Sequence, residues 1–308
     1  MKIIFMGTPS FACASLERLF SDGHDVAGVF TQPDRPRNRG GRVSFSPVKE
    51  TALKHAAQVY QPESLRDSSG AASEILRASH CDIIAVVAYG KLLPREVLEL
   101  PPLGCINIHA SLLPKYRGAA PIQWAIIKGE KETGVTSMYM AGEIDTGDII
   151  LKRTVAIGDD ETADELSEAL SLSAAGLLSD TLAAISGGYA VRIPQNHNDA
   201  SFAPLISKDM SPINWFDTAF NIKCMVRGLC SRPGATAVID GLVCKIFSVE
   251  INNAGSHNHI PGEIVSSGRH GIEIACADAT VTVKELQAPG GKRMAAGAFV
   301  AGRPSLRL

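Results

Sequence analysis

The sequence predicts an α/β fold: a mostly parallel, Rossmann-like sheet with helices on both faces, followed by a small C-terminal β-barrel domain of the OB type. Two patterns carry this prediction. In the first half, short runs that are apolar throughout alternate with amphipathic stretches, as expected for strands buried on both faces by crossover helices. From position 236 onward, short strand-like runs follow one another at close intervals, which favours an antiparallel barrel.

The first half supplies the parallel strands and their helices. The strand runs are KIIFM at 2–6, DVAGVF at 25–30, DIIAVVA at 82–88 and CINIH at 105–109. Helical patterns are found at 11–20, 47–57 and 70–79. Later, Thr162 and Glu165 form a capping box that begins a long helix, and Gly187 with Gly188 ends it. The apolar residues of this helix recur on one face: Leu166, Leu170, Leu177, Leu178, Leu182 and Ile185.

The second half predicts a separate domain. The stretch 193–206 is polar and is interpreted as a linker, and a helical segment is predicted near 214–229. Asp240 and Gly241 lie between two apolar runs, which is the signal of a tight hairpin. Further strands are predicted at 262–267, 272–277 and 280–287. We therefore predict an α/β domain at 1–192, a linker at 193–206 and a β-barrel domain at 207–308.

The charge is uneven along the chain. The 308 residues carry a net charge of −2, with 45% hydrophobic and 20% charged residues, as in ordinary globular proteins. From 207 onward there are 11 Lys and Arg against 8 Asp and Glu, whereas the remainder has 19 against 24. A basic second domain beside an acidic first one suggests that a polyanion contacts the second domain. The alternative is an excess of this size without function.

The cysteines and the apolar runs indicate the cellular compartment of the protein. Its seven cysteines include no CxxC pair and form no cluster with the histidines, so we expect reduced thiols and no bound metal. The apolar start MKIIFM is too short for a signal peptide, and no apolar run approaches the length of a membrane span. We expect a cytoplasmic monomer that does not bind membranes.

Two polar residues interrupt the strand CINIH near its end. Asn107 and His109 share one face because the side chains of a strand alternate. Ligands of parallel sheets bind beyond the carboxyl ends of the strands, where an Asn can donate to an oxyanion and a His can transfer a proton. The alternative is that His109 is a hydrogen-bonded core residue.

An aspartate in the stretch MYMAGEIDTGDII at 138–150 is the third candidate. Asp145 could hydrogen-bond His109, fix its tautomer and raise its proton affinity. The alternative is that Asp145 and Asp148 are ordinary turn residues, which are common before glycine.

These motifs are the basis of a family resemblance. NIHASLLPKYRGAAPIQW together with IDTGDI closely resembles the formyltransferases that use 10-formyltetrahydrofolate, and the similarity extends over nearly the whole chain. The resemblance implies that Asn107, His109 and Asp145 are catalytic. It also implies that 10-formyltetrahydrofolate is the co-substrate and that the SLLP segment binds it. That segment consists of Ser111, Leu112, Leu113 and Pro114. The lead-in to the aspartate, Met140 to Glu143, departs from the usual Met-Asp-x-Gly of the family.

A basic stretch points to the acceptor. TQPDRPRNRGGRVSFSPVK at 31–49 is predicted to be a long irregular loop, kept so by its Pro and Gly residues. It contains Arg35, Arg37, Arg39, Arg42 and Lys49 against one acidic residue, Asp34. Such a charge suits an RNA backbone, although a solvated basic loop is the alternative. In family members that formylate methionyl initiator tRNA, a loop at this position contacts the acceptor end, and Arg39 corresponds to its key arginine.

The resemblance therefore implies transfer of the formyl group to the α-amino group of methionyl initiator tRNA, with tRNA bound by Arg35, Arg37, Arg39, Arg42 and the C-terminal domain. Three alternatives remain open at this point. The acceptor could be a small amine such as an amino sugar or a nucleotide, or it could be water, as in a folate deformylase. The third is a non-enzymatic RNA-binding protein on the same fold.

Overall fold

The computed structural model describes residues 1–37, 42–66, 70–230, 232–252 and 258–306. The helices and strands of the first half are β1 (Lys2–Gly7), α1 (Cys13–Ser21), β2 (Asp25–Phe30), β3 (Arg35–Arg37), β4 (Arg42–Ser44), α2 (Pro47–Lys54), β5 (Val59–Tyr60), α3 (Ala71–Ser79), β6 (Ile83–Val87), α4 (Arg95–Leu98), β7 (Cys105–His109), α5 (Pro121–Ile127), β8 (Glu132–Tyr139), β9 (Ile149–Ala156) and α6 (Ala163–Ser186). The second half contains α7 (Ala219–Leu229), β10 (Ala235–Ile239), β11 (Leu242–Ile251), β12 (Ile264–Gly268), β13 (Gly271–Ala275), β14 (Thr280–Gln287), β15 (Met294–Ala295) and α8 (Ala296–Ala301).

A seven-stranded sheet forms the core of the first half, in the order β5-β2-β1-β6-β7-β8-β9. The ladders from β5 through β7 are parallel, and β8 pairs antiparallel with β7. All five residues of β6 are buried, and so are Ile3 to Met6 of β1, because both faces of these central strands are covered. This confirms the predicted mostly parallel sheet.

An antiparallel sheet forms the core of the C-terminal part, in the order β10-β11-β14-β13-β12, with β15 paired to β14. The predicted hairpin is present between β10 and β11. Asp240 and Gly241 both have positive φ, 50° and 71°, as a tight turn between twisted strands requires. The antiparallel C-terminal domain predicted from the sequence is therefore confirmed.

The chain forms two compact units that interleave along the sequence. One comprises 1–118, 133–156 and 167–203, and the other comprises 119–132, 157–166 and 204–308. Helix α5 belongs to the second unit because it packs closely against α7. At Gly228 of α7, an added Cβ would lie 2.5 Å from Cγ1 of Ile127 and 3.1 Å from the carbonyl oxygen of Gln123. The predicted division into 1–192, 193–206 and 207–308 stays a prediction.

Helix α6 begins at the predicted capping box. The backbone N–H of Thr162 donates to Glu165 Oε2 at 2.9 Å, and the N–H of Glu165 lies 3.4 Å from Thr162 Oγ1. The predicted apolar face is buried. Among the described helices, α6 is long and apolar enough to cross a membrane by length and composition, which corrects the expectation that no run approaches that length. Because 56% of the apolar segment is buried within the protein, core packing accounts for its composition.

Candidate active site

Strand β7 carries Asn107 and His109 to the carboxyl edge of the parallel sheet. It lies between β6 and β8, with Asn107 opposite Val86 on one side and Met138 on the other. Asn107 is half-buried and His109 is 6% exposed. Within the part of the chain that the structure describes, the Asn107 amide has no hydrogen-bond partner, so its N–H groups are available to a ligand.

Both ring nitrogens of His109 face oxygen atoms. Nε2 lies 2.9 Å from the carbonyl oxygen of Tyr116, and Nδ1 lies 3.5 Å from Oδ2 of Asp145. A carbonyl oxygen only accepts, so Nε2 must carry a hydrogen. The two contacts fix the orientation of the ring between Tyr116 and Asp145.

Asp145 lies in the loop between β8 and β9, in an uncommon backbone conformation. Its φ is +56°, in the left-handed region that costs most residues other than glycine some energy. Its Oδ2 accepts the backbone N–H of Gly118 at 2.8 Å, and its side chain is 10% exposed. The structure thus brings the predicted pair His109 and Asp145 together, whereas Asp148 lies 3.7 Å from the guanidinium of Arg192.

The predicted folate-binding segment follows β7 as a tightly bonded turn. Ser111 and Leu113 are fully buried, whereas Leu112 and Pro114 are half-buried. Thr136 Oγ1 donates to the carbonyl of Ser111 at 2.6 Å and accepts the N–H of Leu113 at 3.1 Å. The turn is therefore rigid, and the half-buried Leu112 and Pro114 are its more accessible side chains.

A loop that the sequence patterns did not single out borders the same sheet edge. Residues 88–93 follow β6, whose Val86 pairs with Asn107. Leu92 is 58% exposed, whereas Tyr89 is buried, and burial raises the pKa of the Tyr89 hydroxyl to about 12. The positive φ of Ala88 and Gly90 marks a sharp turn. In the sequence, Gly90 is the one sign of this turn.

Two further residues were missed by the sequence patterns: Gln195, which contacts the turn that carries Asp145, and Arg117, which contacts Gln195. Gln195 Nε2 donates to the carbonyls of Asp145 at 2.9 Å and of Gly147 at 2.8 Å. Its Oε1 accepts from Nε and Nη2 of Arg117, at 3.1 and 2.6 Å. Gln195 stands in the stretch predicted to be a polar linker, where composition gives no sign of a buried side chain.

No cysteine in the described site has the character of a nucleophile. Burial raises the pKa of the Cys105 thiol to about 12, with a smaller contribution from Cys81, so Cys105 stays neutral near pH 7. Within the described ranges, no group of three or more His, Cys, Asp or Glu side chains is arranged to hold a metal ion.

The basic stretch 31–49 differs from the irregular loop predicted for it. β3 and β4 pair as an antiparallel hairpin, with Arg37 opposite Arg42 and Pro36 opposite Val43. A two-stranded ladder tolerates Pro36 because proline is confined mainly to edge positions of sheets, and here both strands are edges. Arg39 lies outside the described residues. Arg35, Arg37 and Arg42 lie in the two strands, and their roles stay predictions.

A polar cluster holds the base of this hairpin. Lys49 Nζ donates to Asp34 Oδ2 and, at 2.7 Å, to Oε1 of Gln61, whose Nε2 donates to Asp34 Oδ1 at 2.8 Å. Burial opposes ionisation of Asp34, but hydrogen bonds from Lys49 and Gln61 outweigh it and lower the pKa of the carboxyl. The charge of Lys49 is therefore compensated within the protein.

Comparison with known families agrees with this geometry. Residues 1–182 match the family model described as formyl transferase, and residues 205–304 match the formyl transferase C-terminal domain. The chain belongs to the formyltransferase family. The resemblance predicted from the motifs is thus confirmed, and the non-enzymatic alternative is set aside.

Its relatives in this family are similar over their full length. A methionyl-tRNA formyltransferase from Alkaliphilus oremlandii (strain OhILAs) is 45% identical over 302 residues, which cover 98% of this chain and 96% of that protein. Further relatives between 42% and 46% identical carry the same name.

Solved structures of formyltransferases share the fold. An N-formyltransferase from Helicobacter canadensis, in complex with folinic acid and dTDP-3-aminofucose, has a TM-score of 0.66 at 18% identity and covers 96% of this chain and 100% of that one. HypX from Aquifex aeolicus, in complex with tetrahydrofolic acid, has a TM-score of 0.63 at 17% identity and covers 97% of this chain and 47% of that one. At these identities the likeness concerns the fold.

Proposed function

We propose that this formyltransferase transfers the formyl group of 10-formyltetrahydrofolate to the α-amino group of methionyl initiator tRNA, for translation initiation. The observation that carries the proposal is the pairing of His109 with Asp145 beside Asn107 at the carboxyl edge of the sheet. The shared name of the full-length relatives supports methionyl-tRNA as the acceptor.

The reaction needs a neutral amine, and esterification of the methionine lowers the basicity of its amino group. Attack of the amine on the formyl carbon places negative charge on the formyl oxygen. Asn107 donates to that oxygen, and His109 contributes its Nε2–H, which must first leave the carbonyl of Tyr116. No covalent enzyme intermediate is required.

Asp145 holds the imidazole in place and supports the passage of the amine proton to the departing N10. Its Oδ2 lies near Nδ1 of His109 and is held by the N–H of Gly118. An anchored carboxylate costs no reorganisation when charge develops, which is how preorganised polar groups accelerate acyl transfer.

The substrates occupy two parts of the surface in this proposal. The pterin ring of the folate lies against the segment Ser111 to Pro114 and the exposed part of loop 88–93. The tRNA contacts the basic stretch 31–49 through Arg35, Arg37, Arg39 and Arg42, and it also contacts the C-terminal domain. We further propose a catalytic domain at 1–192, a linker at 193–206 and a tRNA-binding domain at 207–308, in a cytoplasmic monomer without a bound metal.

The deciding experiment measures formyl transfer from 10-formyltetrahydrofolate to charged initiator tRNA, and to an amino sugar nucleotide in parallel. The wild type should use the tRNA. Asn107→Ala should lower kcat by roughly 100- to 1,000-fold, as expected for loss of an oxyanion donor. Wild-type turnover of this variant would rule out the oxyanion role, and exclusive use of the amino sugar would rule out the proposed acceptor. Formate release without tRNA would indicate a deformylase.

A second variant tests the basic stretch 31–49. Arg39→Ala should raise the KM for tRNA and weaken its salt dependence, with no change in folate affinity, because each lost phosphate contact removes one counterion-release contribution. Kinetics at two salt concentrations measure this. An unchanged KM for tRNA would show that Arg39 does not contact the tRNA.

A further inference from the structure

The backbone of one short segment contacts both members of the His109 and Asp145 pair. The carbonyl of Tyr116 faces His109 Nε2, and the N–H of Gly118 donates to Asp145 Oδ2. Between them, the backbone of Arg117 donates to Ser201 O at 2.8 Å and accepts from Ala203 N at 2.7 Å. These hydrogen bonds fix the backbone of the segment, and with it the position of the Arg117 Cα beside the site.

That side chain is buried, and its charge is not balanced by any of the described residues. Arg117 is 5% exposed, and among the described residues no carboxylate lies within salt-bridge distance of it. Its guanidinium donates instead to Gln195 Oε1, and Nη1 lies 3.3 Å from Nδ1 of His197. Desolvation penalises a buried cation without a counter-ion, so the hydrogen-bond acceptors of Arg117 matter.

The guanidinium determines which way the amide of Gln195 faces. With Oε1 on two N–H groups of Arg117, Nε2 is left facing the carbonyls of Asp145 and Gly147, and both of its hydrogens are used. The flipped amide would set an NH2 against the guanidinium and an oxygen against two carbonyls. The two hydrogen bonds from Arg117 and the two to the carbonyls thus permit only one orientation of the Gln195 amide.

We propose that Gln195, oriented by the buried guanidinium of Arg117, is a positioning residue that holds Asp145 opposite His109 for formyl transfer. The proposal rests on the proposed function and extends it to residues that do not touch the reacting atoms. Asp145 has an unfavourable φ of +56°, and such conformations persist where the surroundings hold them. Gln195 stabilises this conformation by donating hydrogen bonds to the carbonyls of Asp145 and Gly147, on both sides of Thr146.

The variant Gln195→Glu tests whether Gln195 positions Asp145, because it changes the hydrogen bonds of the side chain and keeps its packing. A glutamate of the same shape keeps the contact with Arg117 and gives the buried cation a counter-ion, so the fold is retained. Its other oxygen then faces the carbonyls of Asp145 and Gly147 without a hydrogen to donate. We expect an unchanged or higher Tm, unchanged KM for tRNA and folate, and a kcat lower by roughly 10- to 100-fold, the range for a misplaced catalytic group.

A spectroscopic measurement tests the same point without substrates. The ring nitrogen resonances of His109, assigned with His109→Gln, should shift in Gln195→Glu in the direction seen for Asp145→Asn. Wild-type resonances together with wild-type kcat would overturn the proposal. If the wild type failed to formylate tRNA, the proposed function would fall, while the resonances would still decide the role of Gln195.

A second variant covers the case in which Gln195→Glu does not fold. The double substitution Arg117→Met and Gln195→Met removes the cation and the amide together and keeps the volume, which proteins tolerate well. It should fold, with the same loss of kcat and the same shift of the His109 resonances. Full activity of this variant would also overturn the proposal.

Discussion

Arg117 in the first unit and Arg227 in the second are alike in type and burial, at 5% and 9% exposed. Neither has a carboxylate within salt-bridge distance among the described residues. They differ in what accepts their hydrogen bonds. Arg227 Nη1 donates to the backbone carbonyls of Gly158 and Glu161, at 2.9 and 3.1 Å, in the loop that precedes α6. Arg117 donates to a side chain, Gln195, which in turn bonds the turn of Asp145.

This difference shows that burial and residue type do not distinguish a structural arginine from one that serves a site. The role of each arginine depends on the groups that accept its hydrogen bonds, because a hydrogen bond constrains only the groups that it joins. Contacts of Arg227 end at carbonyls that close a loop and at the thiol of Cys224 in its own helix. Those of Arg117 continue through an amide to the carboxylate opposite His109.

Of the two arginines, Arg117 should give the larger effect on formyl transfer when it is replaced by Met. Without the guanidinium, the amide of Gln195 loses the contacts that orient it, and kcat should fall by roughly 10- to 100-fold. The stability change should be small because loss of hydrogen bonds, about 1–3 kcal/mol, is offset by removal of a buried unpaired cation. Kinetics and urea unfolding measure both. A large loss of stability with unchanged kcat would place Arg117 with the structural arginines.

A smaller effect, of another kind, is expected for the matched variant Arg227→Met. It leaves the carbonyls of Gly158 and Glu161 without their buried donor, at a cost of about 1–3 kcal/mol in the free energy of unfolding. Removal of the buried cation offsets part of this cost, as it does in Arg117→Met. The kcat and both KM values should stay at the wild-type level. If formyl transfer fell as much as in Arg117→Met, the contrast between the two arginines would be wrong.

Much of the architecture follows from local pattern. The runs of β1, β6 and β7 are apolar because both faces of a central strand are buried. Asp240 and Gly241 encode their hairpin because few residue pairs accept positive φ in succession. Likewise, Asn107 and His109 share a face by strand periodicity alone. Motif resemblance added the family, which the comparisons confirm.

Predictions from local sequence pattern were wrong where the same composition is compatible with two structures. The stretch 31–49 contains residues typical of loops, yet two short segments of it pair as a hairpin above the cluster of Asp34, Lys49 and Gln61. Helix α6 is apolar enough to resemble a membrane span, because burial in a protein core and burial in lipid favour the same residues.

The sequence by itself determined the parallel sheet, the antiparallel C-terminal sheet, the family and the strand that carries Asn107 and His109, since each depends on neighbours along the chain. Only the tertiary structure decided that Asp145 meets His109, that Tyr116 holds its other nitrogen, and that Gln195 and Arg117 lie behind them. Those contacts join loops far apart in the chain. Their geometry depends on the path of each loop, which periodicity and composition do not encode.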